Sequence, residues 1–174
     1  MIISKYTRLN SSSKVKFSIS IGQFVAAQSR DASNIIQREN LARGYSQVGK
    51  LEEAIQEWAK VITYYRQAGN NKQVGRLKIE QAQVYSRLGQ PRNAIKLLCN
   101  PDTENKCDSD SSIEIARSFK DEIGEIAAMG ALGDAYRLAG DYKVSVSYLE
   151  QSLQKAQKPK NIGLPKSILS GVLN

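Results

Sequence analysis

The feature that most constrains this chain is an apolar pattern that runs, breaks for three residues and starts again: LARGYSQVGKLEEAIQEWAKVITYYRQA, from Leu41 to Ala68. Leu41, Ala42, Tyr45 and Val48 fall on one face of a 3.6-residue helix. Leu51, Ala54, Ile55, Trp58, Val61 and Ile62 make a second stripe after the break. Gly49 stands between them, where a helix ends most easily in a positive-φ residue that only glycine adopts without steric cost. Neither stripe can be hidden by its own helix, so the stretch predicts an antiparallel helical hairpin.

The hairpin recurs. Ala82, Tyr85, Gly89, Ala94, Ile95 and Leu98 lie 40 residues after Ala42, Tyr45, Gly49, Ala54, Ile55 and Trp58. A third copy carries Leu132, Gly133, Tyr136, Gly140, Tyr142, Ser145, Leu149 and Leu153, with Tyr136 standing 51 residues after Tyr85. Self-similarity built from helix–turn–helix units is the signature of a stacked array. The predicted fold is therefore all-α, an α-solenoid of about three antiparallel hairpins with partial ones at each end. The repeat domain is expected over residues 31–158. Its third hairpin should run from about Asp121 to Leu138 and from Asp141 to Gln157.

The order of residue types in each copy (large apolar, small, Tyr, Gly, small, then aromatic or Leu) resembles the tetratricopeptide repeat, and the resemblance covers roughly residues 30–158. Two positions depart from it. Gln81 stands where a large apolar residue belongs and Pro101 where a small one does, which predicts looser packing of the second repeat. The 40-residue spacing exceeds the usual length of about 34, so helices a turn or two longer are expected. In that family the first helices of successive repeats line a concave groove. The resemblance places Glu39, Asn40, Arg43 and Gln47 there from the first repeat, Arg76, Glu80, Gln83 and Arg87 from the second, and Asp134 and Arg137 from the third. Members that clamp a C-terminal carboxylate use paired Lys and Asn, whereas this chain has Glu39 and Arg43, which argues against that chemistry. The repeats and the segment IARSFKDEIGEIAAMGALGDAYRLAGDY also resemble, less specifically, the repeat regions that precede a caspase-like CHAT domain in cyanobacterial proteins. That domain needs a catalytic His, and there is no His here.

The jump in spacing from 40 to 51 predicts an insertion. Apolar helical pattern stops at Cys99 and resumes at Ile113, and between them lies the polar, acidic NPDTENKCDSDSS. The inserted residues, near 100–110, should interrupt the second helix of the second repeat. Cys99 and Cys107, the two cysteines of the chain, bracket them. They are either a disulfide closing the loop or two unrelated thiols; spacing leaves both open. A bridge would imply an extracytoplasmic, oxidising compartment, and without one a cytoplasmic location is equally consistent.

The ends are less legible. In residues 1–30, Lys5, Arg8, Lys14 and Lys16 precede FSISIGQFVAA, a diluted version of a signal peptide. Val15, Phe17, Ile19 and Ile21 alternate as a strand would, and a degenerate half-repeat of loose helix fits best. At the other end, residues 159–174 begin, from Asn161, like another first helix; they are expected to be a capping helix or a partial repeat of a longer array.

Function is bounded mostly by exclusion. The lack of His removes the usual general base and the Ser-His-Asp and Cys-His arrangements. No phosphate-binding glycine loop is present. Asp108-Ser109-Asp110 is a fragment of a calcium loop without its terminal Glu. No cofactor and no metal are expected, and no apolar run is long enough to span a membrane. Charge is uneven: Lys and Arg outnumber Asp and Glu by 16 to 6 over residues 1–100, fall to 3 against 8 over 101–125, and lead 6 to 3 thereafter. A basic body with one acidic loop favours an acidic partner or self-association through loop-to-body contact. Nucleic acid is the weaker expectation, because Glu52, Glu53 and Glu57 break up any basic stripe. The sequence thus points to a non-catalytic scaffold that binds a protein or peptide in its groove. The alternatives are an RNA-binding solenoid, or a remnant of a larger protein.

Overall fold

The computed structural model describes residues 33–101 and 106–157. The expectations for residues 1–30 and 159–174 lie outside them. Seven helices follow one another: α1 over residues 33–47, α2 Leu51–Gln67, α3 Asn71–Arg87, α4 Pro91–Leu98, α5 Ser112–Ser118, α6 Glu122–Leu138 and α7 Tyr142–Gln157. Among the described residues the sole β-type contact is an isolated bridge between Pro101 and Cys107. None of the described helices is long and apolar enough to cross a membrane.

Four of the turns use one device built on a glycine, and the α5–α6 turn makes the same bond, from Asp121 to Ala116, with Lys120 in the left-handed position. Gly49, Gly69, Gly89 and Gly140 all take positive φ. The residue after each glycine donates its backbone N–H to a carbonyl five positions back: Lys50 to Tyr45, Asn70 to Tyr65, Gln90 to Tyr85 and Asp141 to Tyr136, each at 2.9 Å. This is the six-to-one bond of a Schellman motif, which satisfies carbonyls that the ending helix would leave bare. The acceptor is a tyrosine at each glycine turn, so the Tyr–Gly spacing read from the sequence is the spacing of this turn. Helix starts are less uniform. Asn70 caps α3, its side chain accepting from the Gln73 N–H at 3.2 Å, and Asn71 is the first helical residue instead of the cap. Ser111 caps α5 by accepting from the Glu114 N–H.

The core falls into two parts that meet at α3. One holds Trp58, Val61 and Ile62 of α2 with Val74, Leu77 and Val84 of α3. The other holds Ile79 and Ala82 of α3 with Ala94, Leu98, Ile113, Met129 and Leu132. Since α3 packs against α2, α4, α5 and α6, it has little outer surface left. Gln81 accordingly is buried, and it is satisfied: its amide donates to the Ile55 carbonyl at 3.0 Å, across to α2. The expected weak spot is thus a polar tie between neighbouring repeats.

The insertion breaks the second helix of the second repeat. α4 ends at Leu98 after 8 residues, and α5 carries the helical course on from Ser112. Pro101 stands in the interruption and not within a helix. α5 lies so close on α3 that a Cβ at Gly75 would meet the Ile115 side chain at 2.7 Å. α6 and α7 approach in the same way, where a Cβ at Gly133 would lie 2.6 Å from Leu149 and 3.2 Å from the Ser145 carbonyl.

Two alanine substitutions separate these effects. Gly44→Ala, with nothing within 4 Å of the added methyl, should stabilise α1 by about 0.5–1 kcal/mol through helix propensity alone. Gly133→Ala should destabilise by about 1–3 kcal/mol because α7 must move away from α6. Urea unfolding followed by circular dichroism checks both; equal effects would mean that the α6–α7 contact is not tight.

Candidate functional site

Five of the ten residues expected in the groove surround one concavity. Arg43 and Gln47 reach it from α1, one helical turn apart. Glu80, Gln83 and Arg87 reach it from α3, at steps of three and four residues. Ser46, Val84 and Trp58 complete its lining, and its volume is about 240 Å³. Trp58 of α2 forms the floor and is only 1% exposed. The Arg43 guanidinium sits over the indole, 5.4 Å from the ring centroid, within the range of a cation–π contact. The indole N–H is buried and has no hydrogen-bond acceptor. Among the described residues Gln47, Glu80, Gln83 and Arg87 have no side-chain hydrogen bond or ion pair, so their polar ends are available to a ligand.

The other five serve other ends. Glu39 accepts a hydrogen bond from the Tyr65 phenol at 2.8 Å and lies 3.9 Å from Arg43. Burial and that carboxylate push the Tyr65 phenol up to about 12. Asn40 is exposed on α1 beyond the concavity. Arg76 turns away to Asp121, which it grips with two hydrogen bonds of 2.7 and 2.9 Å. Asp134 and Arg137 face solvent on α6 and pair with each other at 3.4 Å.

Sequence reasoning passed over Ser46 and Val84 and placed Trp58 on the inner stripe, as core in preference to a stacking residue. Trp58 is core and floor at once, because a ring that size spans from the α2–α3 contact to the surface between α1 and α3. Its spacing, on the inner stripe of α2, signals only burial. Ser46 was findable: it lies three residues after Arg43 and so shares that face.

Three carboxylates outside the concavity hold the helices in register. Glu57 lies between Lys60 at 2.6 Å and Arg38 of α1 at 2.7 Å. The hydrogen bond from Lys60 is the main reason its carboxyl sits below the ordinary range, with Arg38 adding to it against the effect of burial. Asp121 is lowered chiefly by the hydrogen bond from Arg76. For Glu125 burial opposes the charged form most strongly, but hydrogen bonds from Lys155 and Arg117 together outweigh it. The result ties α5, α6 and α7 through one carboxylate, at 2.9 Å to Arg117 and 2.7 Å to Lys155.

Chemically the concavity offers two guanidinium groups, one carboxylate, two amides, a hydroxyl and an aromatic floor. Those groups bind. Among the described residues no cluster of three or more His, Cys, Asp or Glu could hold a metal ion. Asp108 and Asp110 are used within the loop: the Asp108 carboxylate accepts from the Asp110 N–H at 3.0 Å, and Asp110 pairs with lysine and arginine of the body.

A depressed carboxylate stabilises the fold above its unfolded pKa and loses that contribution as pH falls through its folded value. All three shifts are downward, so stability should be level above about pH 5 and fall below about pH 4. Asp121→Asn should lose about 1 kcal/mol at pH 7 and show a shallower acid decline. Thermal unfolding from pH 3 to 7 measures this, and an acid profile identical to that of the unsubstituted chain would refute the assignment.

Comparison with known proteins gives a match over the third hairpin. A family model described as Tetratricopeptide repeat matches residues 128–162, which begin within α6 and take in all of α7. No curated protein matches the chain. The two earlier hairpins repeat the same turn geometry, helix order and glycine positions. Residues 128–162 are similar to the tetratricopeptide repeat, and the described part of the chain is an all-α array of helical hairpins.

Proposed function

We propose that the chain is a non-catalytic protein-interaction scaffold, and that the concavity between α1 and α3 takes a peptide segment bearing an acidic side chain. The observation that carries this reading is that Arg43, whose guanidinium lies over Trp58, and Arg87 line the same concavity. Both guanidinium groups line one concavity, and Glu80 is the only carboxylate in its lining. Arg87 has no counter-ion there, and Arg43 has only Glu39 at 3.9 Å, longer than a charge-assisted hydrogen bond. A carboxylate between the two arginines would meet both, while Gln47 and Gln83 are placed to bond a peptide backbone. The family supports the wider reading of a binding scaffold; the acidic preference rests on these side chains.

Trp58 is the one tryptophan of the chain, so its fluorescence reports on the concavity directly. A peptide array of Glu-bearing segments and their Gln counterparts should yield Glu-bearing binders that shift Trp58 emission. Arg43→Ala with Arg87→Ala should weaken them about tenfold, the loss expected for about 1.4 kcal/mol. Equal affinity for Glu and Gln peptides would overturn the acidic preference. Emission unchanged by any bound peptide would overturn the site. Tight binding of single-stranded RNA, weakening steeply and linearly in log–log terms with salt, would favour the RNA reading instead.

A further inference from the structure

On the side of α3 away from the concavity, a buried lysine depends on the insertion. The Lys78 side chain is only 8% exposed. Its ammonium donates to the Asp110 backbone carbonyl and to the Asp110 carboxylate, the latter at 2.7 Å. Asp110 also receives Arg66, near the end of α2, at 2.9 Å. One residue of the insertion therefore neutralises α3 and ties it to α2. The contact between acidic loop and basic body is made within the chain.

Asp110 is itself 60% exposed; on its C-terminal side it joins the buried Ser111 and Ser112, and on the other it is held through Asp108. The Asp110 N–H is bonded to the Asp108 carboxylate and the Ser111 N–H to the Asp108 carbonyl, at 3.0 and 2.9 Å. The Asp108 N–H is bonded in turn to the Cys99 carbonyl at 2.8 Å, and Cys107, next to Asp108, is joined to Cys99 by a disulfide with 4.4 Å between the Cα atoms. Cys99 is fully buried at the end of α4, packed in the second core. The chain of support thus runs from the core through Cys99 and Cys107 to Asp108 and Asp110, and from there to Lys78.

We propose that the Cys99–Cys107 disulfide is a redox-sensitive brace, which holds Asp110 on Lys78 and Arg66 and whose reduction loosens the α2–α3 junction. The reductant is a dithiol. Its thiolate attacks the half-buried Cys107 sulfur and expels Cys99 as thiolate. The second thiol of the reductant then closes on the mixed disulfide and releases Cys107. Two cysteine thiols are formed, the two protons coming from the dithiol, which leaves as a cyclic disulfide. Once the bond is open, Asp108 keeps one backbone hydrogen bond to the end of α4, at Cys99, and Asp110 is held only from its C-terminal side, through Ser111 and Ser112. Each departure of Asp110 leaves a buried ammonium without its counter-charge, a strongly unfavourable state. The penalty falls on α3, the helix that also carries Glu80, Gln83 and Arg87.

Hydrogen exchange on the full chain, oxidised and after treatment with dithiothreitol, tests this. Reduction should raise exchange about tenfold in the first half of α3 and the last turn of α2, with little change in α6 and α7; tenfold corresponds to about 1.4 kcal/mol. Lys78→Met removes the need for a counter-charge, so in that variant reduction should alter α3 exchange less than about twofold. Unaltered α3 exchange in the reduced wild type would overturn the proposal. So would a Lys78→Met chain as sensitive to reduction as the wild type, since the effect would then run through the core. If the reduced wild type unfolds outright, a reduced Lys78→Met chain that stays folded supports the brace, and one that also unfolds refutes it.

Discussion

Everything in this array turns on α3 being packed against on several sides. A helix with one buried face can keep its polar residues in water. α3 packs against α2, α4, α5 and α6, and its buried set includes Lys78 and Gln81 as well as Val74, Leu77, Ile79 and Ala82. A buried amide or ammonium is tolerated only if its hydrogen bonds are replaced. The fold supplies each replacement from a different neighbour: Ile55 of α2 for Gln81, and Asp110 of the insertion for Lys78. These bonds add direction to a contact that apolar packing alone would leave free to slide. Specific register between repeats 1 and 2 thus comes from polar groups inside the array.

The same crowding shapes the concavity. With most of α3 covered, the face left to it carries Glu80, Gln83 and Arg87, and α1 faces it with Arg43 and Gln47. Arg76 begins one turn before Glu80 on that face but is drawn to Asp121 at the head of α6, where it fixes the next repeat instead. Trp58 belongs to both worlds. Its ring fills the α2–α3 contact, and its edge is the surface that a ligand entering between Arg43 and Arg87 would meet.

How much of this was legible follows from what each signal reports. Spacing of Tyr45, Gly49, Tyr85, Gly89, Tyr136 and Gly140 located the turns, because one bond geometry is repeated and glycine takes its left-handed position at the least cost. The third hairpin came out with boundaries within a residue of those expected, and the break after Leu98 was visible as a change in period. Long-range polar pairing was not legible. Gln81 read as a defect because periodicity reports burial and cannot report the carbonyl waiting on α2. The partner of Asp110 was hidden for the same reason: it is 32 residues from Lys78, and local pattern carries nothing about a partner at that distance. Of the groove residues, Arg43, Gln47, Glu80, Gln83 and Arg87 line one concavity, whereas Glu39, Asn40, Arg76, Asp134 and Arg137 do not.

The insertion finally explains why the array survives being cut through a helix. A solenoid is stabilised by nearest-neighbour contacts, so what matters is that each layer still fills the space between its neighbours. α4 keeps Ala94 and Leu98 against α3 and α6, and α5 returns to the same layer with Ile113 in one core and Ile115 in the other. Gly75 lets α5 lie directly on α3, where a Cβ would meet Ile115. The lost helical hydrogen bonds are replaced at the cut by the Ser111 cap and by the bond from Asp108 to Cys99. An interruption that in a single-core domain would sever the fold is here contained within one repeat, and the residues it adds become the tie to the repeat before.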